Sequence, residues 1–190
     1  ENGPLLEVLV GTKVVDLAGV VKLELVWIPP GEFLMGSPEK QEGRRADETQ
    51  HRVNLTKGFW MGKYEVTQAQ WERVSEAKSS AGGGNNPSHF SSAGGSASGG
   101  KGGKSPVEQV SWEDCQEFIK KVNDKVASFA SAGLRRDDGS RMVFRLPSEA
   151  EWEYACRGGT MTRFCSGDAR SDLDAVGWWS KNSGNTTHPV

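Results

Sequence analysis

An α+β fold with short antiparallel strands, two or three capped helices and much irregular coil is what this sequence predicts. Three observations carry that reading. Its apolar runs are short and alternate with polar residues, as half-buried strands do. The pattern Ser/Thr-x-x-Glu/Gln/Asp, which opens helices by pairing an N-cap side chain with a side chain three residues on, occurs three times just before helical periodicity. Glycine contributes 24 of 190 residues, many of them clustered between the periodic segments.

Residues 1–22 are apolar without a clear period, and fit strands of the domain, a neighbouring element or a tether. They are set apart as an N-terminal apolar extension, with the domain proper spanning 23–190. Leu23, Leu25 and Trp27 alternate with Glu24 and Val26, a half-buried strand. Pro29-Pro30-Gly31 turns the chain, and Glu32–Gly36 is expected to return as the second arm of a hairpin. A charged loop over 37–50 follows, then strands over His51–Leu55 and Phe59–Val66.

Thr67 and Gln70 form the first capping box, opening a helix with Ala69 or Gln70, Trp71 and Val74 as inner positions. Residues 79–104 are Gly/Ser-rich and read as a surface insertion, interrupted by Asn86-Pro87-Ser88-His89-Phe90, whose Phe90 is an anchor candidate. The insertion is not read as a phosphate-cradling loop, because no strand leads into it. Ser111 and Asp114 make the next box. The helix it opens carries Trp112, Cys115, Phe118, Ile119, Val122, Val126 and Phe129 at steps of three and four, and is expected to run to about Ser131.

The third box lies in Val143–Thr160. Val143–Leu146 is a strand candidate stopped by Pro147. Ser148 and Glu151 cap the helix, Trp152, Ala155 and Cys156 supply its apolar face, and Gly158-Gly159 end it. A helix this short is marginal alone, so it is expected to be held on all sides, with Trp152 buried at the centre of the packing. Phe164–Val190 reads as loop, anchored by Trp178-Trp179.

The run FRLPSEAEWEYACRGG resembles the signature of the formylglycine-generating-enzyme, or sulfatase-modifying-factor, family. LVWIPPGEFLMGS, HRVNLTKGFWMGKYEVTQAQW, NPSHF, PVEQVSWEDC and THPV follow the same order as in that family. The resemblance covers roughly Leu23 to Val190. It implies a C-type-lectin-like fold with helices around a small twisted antiparallel sheet. The family's C-terminal segments are not in this chain, so the domain is expected to be incomplete at that end, as a fragment or completed by another chain.

The family's best-known activity is oxidation of a sulfatase cysteine to formylglycine with O2 and copper. Copper is bound there by a cysteine pair in the C-terminal part, so copper is implied only if that part accompanies this chain, and no catalytic residue is carried over. Two functions follow as expectations. One is a non-catalytic scaffold or binding module with a protein or peptide partner. The other is part of a formylglycine-generating oxidase. The family's habit favours a secreted or periplasmic location.

The residues themselves constrain the chemistry further. A net charge of −2 gives no mark of a nucleic-acid partner, and no run approaches the ~18 apolar residues of a membrane span. Three cysteines without a C-x-x-C give no zinc signal. Cys115 and Cys156 are expected to be buried on helix faces, and Cys165 lies in a loop where it could pair or stay free. His51, His89 and His188 stand in separate segments without metal-ligand spacing, and structural roles are expected for them. Ser148 has no nearby histidine, so its cap explains it and no nucleophile triad is argued. The densest hard-oxygen set is Asp168, Asp172 and Asp174, with Asn182 and Asn185, and calcium is the ion these donors suit. Seven tryptophans against two tyrosines predict a core in which indoles fill space between irregular segments.

Overall fold

The computed structural model describes residues 11–17, 21–75, 86–90, 103–128 and 139–190. Five strands run in order: β1 (Thr12–Leu17), β2 (Val21–Ile28), β3 (Gly31–Met35), β4 (His51–Leu55) and β5 (Phe59–Gly62). Three helices follow, α1 (Gln68–Ser75), α2 (Trp112–Ser128) and α3 (Glu149–Arg157), then a 3-10 helix over Arg170–Ala175. The α+β architecture with short antiparallel strands and few helices is as expected.

The strands form two sheets, ordered β1-β2-β5 and β3-β4, and all pairs are antiparallel. The hairpin expected across Pro29-Pro30 is therefore corrected. β2 is a central strand with both edges taken, Thr12 opposite Val26 on one side and Trp27 opposite Trp60 on the other. No edge is left for β3, which pairs Phe33 with Val53 of β4 instead. Two successive prolines, which offer no backbone N–H, suit a strand that leaves one sheet for another. Of the placements open for residues 1–22, Thr12–Leu17 takes that of a strand in the domain's sheet.

The core lies between the larger sheet and two helices. Val15 and Leu25 contribute from the sheet, Trp71 and Val74 from α1, and Phe118, Val122 and Val126 from α2. The α2 residues recur at four-residue steps, so they share one stripe. Trp71 and Phe118 stack with ring centroids 4.7 Å apart and planes 2° from parallel. Phe129–Ser131, where α2 was expected to end, lie outside the described residues.

All three capping boxes form. Thr67 N–H donates to Gln70 Oε1 (2.8 Å) and Gln70 N–H to Thr67 Oγ1 (3.3 Å). Ser111 N–H donates to Asp114 Oδ2 (2.8 Å) and Asp114 N–H to Ser111 Oγ (3.1 Å). Ser148 N–H donates to Glu151 Oε2 (2.8 Å) and Glu151 N–H to Ser148 Oγ (3.2 Å). At the other end of α3, Gly158 adopts φ 55° and its N–H donates to the Tyr154 carbonyl.

Three expectations about side-chain placement are overturned. Trp152 is 55 % exposed and Trp112 65 % exposed. Trp112 precedes Phe118 by six residues, which at 100° per residue sets it about 120° around the helix from that inner position. On α3 it is Tyr154 that faces the protein, its ring 5.3 Å from Phe33 of β3. Trp152, two residues earlier, lies nearly opposite, and Cys156 shares its exposed side. Helix α3 is thus docked at the edge of the molecule, and the packing centre belongs to α1 and α2.

Val143–Leu146 is not a strand either. Phe144 N–H donates to Asn123 Oδ1 (2.8 Å) and Asn123 Nδ2 donates to the Phe144 carbonyl (3.0 Å). One amide side chain from α2 does what a neighbouring strand would do, and Phe144 packs against the core.

Most of the 79–104 insertion lies outside the described residues, but Asn86–Phe90 is held by a polar knot. Gln68, 2 % exposed, accepts from Asn86 Nδ2 (2.9 Å) and donates to the carbonyls of Phe90 and Pro106 (3.3 Å each). Ser88 Oγ accepts from Glu108 N–H, and Glu108 Oε1 accepts from Phe90 N–H (2.8 Å). Phe90 therefore anchors through its backbone. The inward side of α1 begins at Gln68, not at Ala69 or Gln70.

Candidate functional site

Helix α3 and the loops around it present the most exposed apolar side chains that stand on firmly held backbone. The helix is fixed to the smaller sheet by a polar clamp. Arg157 Nη2 donates to the Gly36 carbonyl (2.9 Å), Gly36 N–H donates to Glu153 Oε1 (2.9 Å), and Arg157 and Glu153 pair at 2.7 Å. Gly36 has φ 90°, and a Cβ there would sit 2.8 Å from the Thr49 carbonyl oxygen, so only glycine fits. At the helix start Arg145 grips Glu151 through both terminal nitrogens (2.7 and 2.5 Å). That grip, with the Ser148 N–H bond, outweighs partial burial and holds the Glu151 carboxyl down to about 2. A helix clamped at both ends keeps Trp152 in a fixed place while its indole stays open to solvent.

The loop after α3 is tied just as locally. Asp168 Oδ1 accepts from Arg163 N–H (2.9 Å), Asp172 Oδ2 from Ala169 N–H (2.9 Å) and Asp174 Oδ1 from Trp179 Nε1 (2.7 Å). Lys181 lies 3.6 Å from the other oxygen of Asp174. Asn182 bridges Trp179 N–H and the Gly177 carbonyl. The three aspartates are thus spent on separate turns, and among the described residues no three His, Cys, Asp or Glu side chains form a group that could hold a metal ion. Trp179 is the loop's anchor. Trp178 is 61 % exposed and stacks on His188, centroids 3.8 Å apart, while His188 Nε2 meets the Ser183 carbonyl at 2.8 Å. His51 bonds the Thr49 carbonyl and His89 meets the Phe90 ring edge-on.

The three cysteines are free thiols. Cys115 is half-buried, whereas Cys156 and Cys165 are exposed, which corrects the buried placement expected for Cys156. Burial, then the Asp114 charge, pushes the Cys115 thiol up. Burial of its sulfur, then the nearby Cys165 sulfur and Glu153, raise Cys156 against the pull of Arg157. The family resemblance places its copper-binding cysteine pair outside these three thiols, so no step is derived through copper.

A cleft of about 310 Å3 lies elsewhere, between α1 and α2, lined by Trp71, Ser75, Pro87, Asp114, Glu117, Phe118 and Lys121. Its rim is self-neutralised, since Lys121 pairs with Glu117 at 2.8 Å. Its Asp114 is already committed to the α2 cap, which holds that carboxyl below its usual range through the Ser111 N–H and hydroxyl. Trp112, the first residue of α2, is the third widely exposed indole. No helix of the described residues is long and apolar enough to cross a membrane.

Sequence reasoning missed Gln68, Asn123 and the Glu153–Arg157 clamp. Only the last left a signal, an i,i+4 acid–base pair.

Comparison with known proteins places this geometry. The chain is 29 % identical over 145 residues to the chaperone protein LppX of Paenibacillus barcinonensis, covering 66 % of this chain and 45 % of that one. It is 28 % identical over 174 residues to the formylglycine-generating enzyme of Mus musculus, covering 74 % and 41 %. The chain therefore spans less than half the length of these relatives. Among solved structures, Treponema denticola variable protein 1 superposes with a TM-score of 0.72 at 28 % identity, over 94 % of this chain and 68 % of that one. The family model of the sulfatase-modifying factor enzyme 1-like domain matches residues 18–190, and the chain belongs to that family.

Proposed function

We propose that this chain is a non-catalytic member of its family that binds a protein or peptide partner through exposed indoles on rigid mounts. The carrying observation is that Trp112, Trp152 and Trp178 are each more than half exposed although each is held locally, Trp112 by a helix cap, Trp152 by a helix clamp and Trp178 by its ring stack on His188. Tryptophan presented at little cost in conformational entropy is a favoured anchor at protein interfaces. The similarity to a protein named a chaperone supports a polypeptide partner. The lectin-like scaffold implied by the family resemblance would suit display of such a surface.

The test is selection from a phage-displayed random peptide library with the chain as bait, followed by calorimetry. Selected peptides should lose at least about tenfold in affinity, or ~1.4 kcal/mol, on Trp152→Ala or Trp178→Ala. Selection no better than on an unrelated control domain, or affinity unchanged in both variants, would overturn the reading.

A second reading, part of a formylglycine-generating oxidase, is favoured by the similarity to the mouse enzyme. A sulfatase-type cysteine peptide, supplied with copper and reductant and followed by mass spectrometry, separates the two. An unchanged cysteine mass is expected, and aldehyde formation would establish the oxidase instead.

A further inference from the structure

Cys156 stands in the last turn of α3 and Cys165 nine residues on, in the loop that follows. The chain between them folds back on the helix end. Gly158 and Gly159 both take positive φ (55° and 86°), reversing its direction. Thr160 then donates through N–H (3.0 Å) and hydroxyl (2.8 Å) to the Arg157 carbonyl. Arg157 Nη1 reaches the Thr162 carbonyl at 3.4 Å, and Phe164 and Gly167 exchange two backbone bonds that close the turn holding Cys165. Both ends of the returning segment also rest on one stretch of chain. Arg157 bonds the Gly36 carbonyl, and Arg163 lies 3.5 Å from Glu42.

We propose that Cys156 and Cys165 are a redox pair that closes to an intramolecular disulfide, pinning the loop after α3 to the helix's C-terminal turn. Both residues are exposed. The Cys165 sulfur is among the groups that raise the Cys156 thiol, which agrees with their proximity. The third cysteine, Cys115, stands half-buried on α2.

The step balances with a low-molecular-weight disulfide such as oxidised glutathione as oxidant. One cysteine, as thiolate, attacks the small disulfide and releases a first small thiolate. The second cysteine loses its proton and attacks the mixed disulfide, forming the Cys156–Cys165 bond and releasing a second small thiolate. Two protein thiols are oxidised, one small disulfide is reduced to two thiols, and the two protons leave with them.

The cross-link would constrain the loop that carries Trp178 and Asp174, without touching the core.

Trypsin tests this directly, because Arg157 and Arg163 separate the two cysteines into peptides Leu146–Arg157 and Phe164–Arg170. After incubation with oxidised glutathione and non-reducing digestion, the two peptides should appear as one linked species by mass spectrometry. The link should vanish with reductant, and in Cys156→Ser and Cys165→Ser, and persist in Cys115→Ser. Both sites are exposed, so the serine variants should fold, and unchanged circular dichroism checks that they do. Separate glutathione adducts on Cys156 and Cys165 without the linked species, or either cysteine joined to Cys115 or to a second chain, would overturn the proposal.

Discussion

Glu151 concentrates the electrostatics of α3 in one side chain. It receives Arg145, accepts the Ser148 N–H, and is the acidic half of a capping box. Its folded pKa, about 2, lies below the ordinary carboxylate value of 4.5. A depressed folded pKa means that the unfolded chain takes up the proton first as pH falls. The stability Glu151 contributes is therefore complete above about pH 4.5 and lost progressively between there and about pH 2. Thermal melts across that window should show Glu151→Gln less stable than the parent at neutral pH, with the gap closing on acidification. A gap independent of pH would show that the charge is not what matters. Tryptophans divide at the same scale. Trp71→Ala should cost about 3–5 kcal/mol, because it empties a core position stacked on Phe118. Trp152→Ala should stay within about 0.5 kcal/mol, as surface substitutions do, and denaturant melts compare them directly.

At the scale of elements, helix starts behave as local units and helix faces do not. Ser148→Ala removes an N-cap acceptor and should lower stability by about 1 kcal/mol in denaturant melts. Gln68 is another matter. Its amide serves three segments at once, α1, Asn86–Phe90 and the chain through Pro106. Gln68→Ala orphans the Asn86 amide and two carbonyls in a buried place, so a loss of about 1–3 kcal/mol is expected. The Asp168–Asp174 loop follows the same logic. Its carboxylates already accept from Arg163, Ala169 and Trp179. Calcium titration should accordingly leave Tm unchanged, and a rise with calcium would show that the loop rearranges to gather those donors.

For the whole molecule, the larger sheet and the α1–α2 pair form the stable body, while α3 and residues 158–190 lie at the edge, with α3 held on the smaller sheet by hydrogen bonds, an ion pair and one aromatic contact. That division predicts an order of opening. Arg157→Ala breaks the clamp to Gly36 and should raise amide exchange in α3 and residues 158–167 well before it does so in α2. Uniformly faster exchange would mean that α3 belongs to the same cooperative unit as the core.

The sequence by itself determined the fold class, the three capping boxes, the Gly158 stop and the family. Each cap is closed by atoms within three or four residues, and the family motifs are read in order along the chain, so neither depends on what folds against them. Only the tertiary structure decided which faces turn inward. Trp112 and Trp152 are as apolar as Trp71, yet Phe118 and Tyr154 won the inner positions because the neighbouring elements, α1 and β3, approach from their side. The partners of β2, the burial of Gln68 and the use of Asn123 in place of a strand were hidden for the same reason. Each needs a group brought from about twenty residues away or more, and the amino-acid pattern around it is the same whether or not that group arrives.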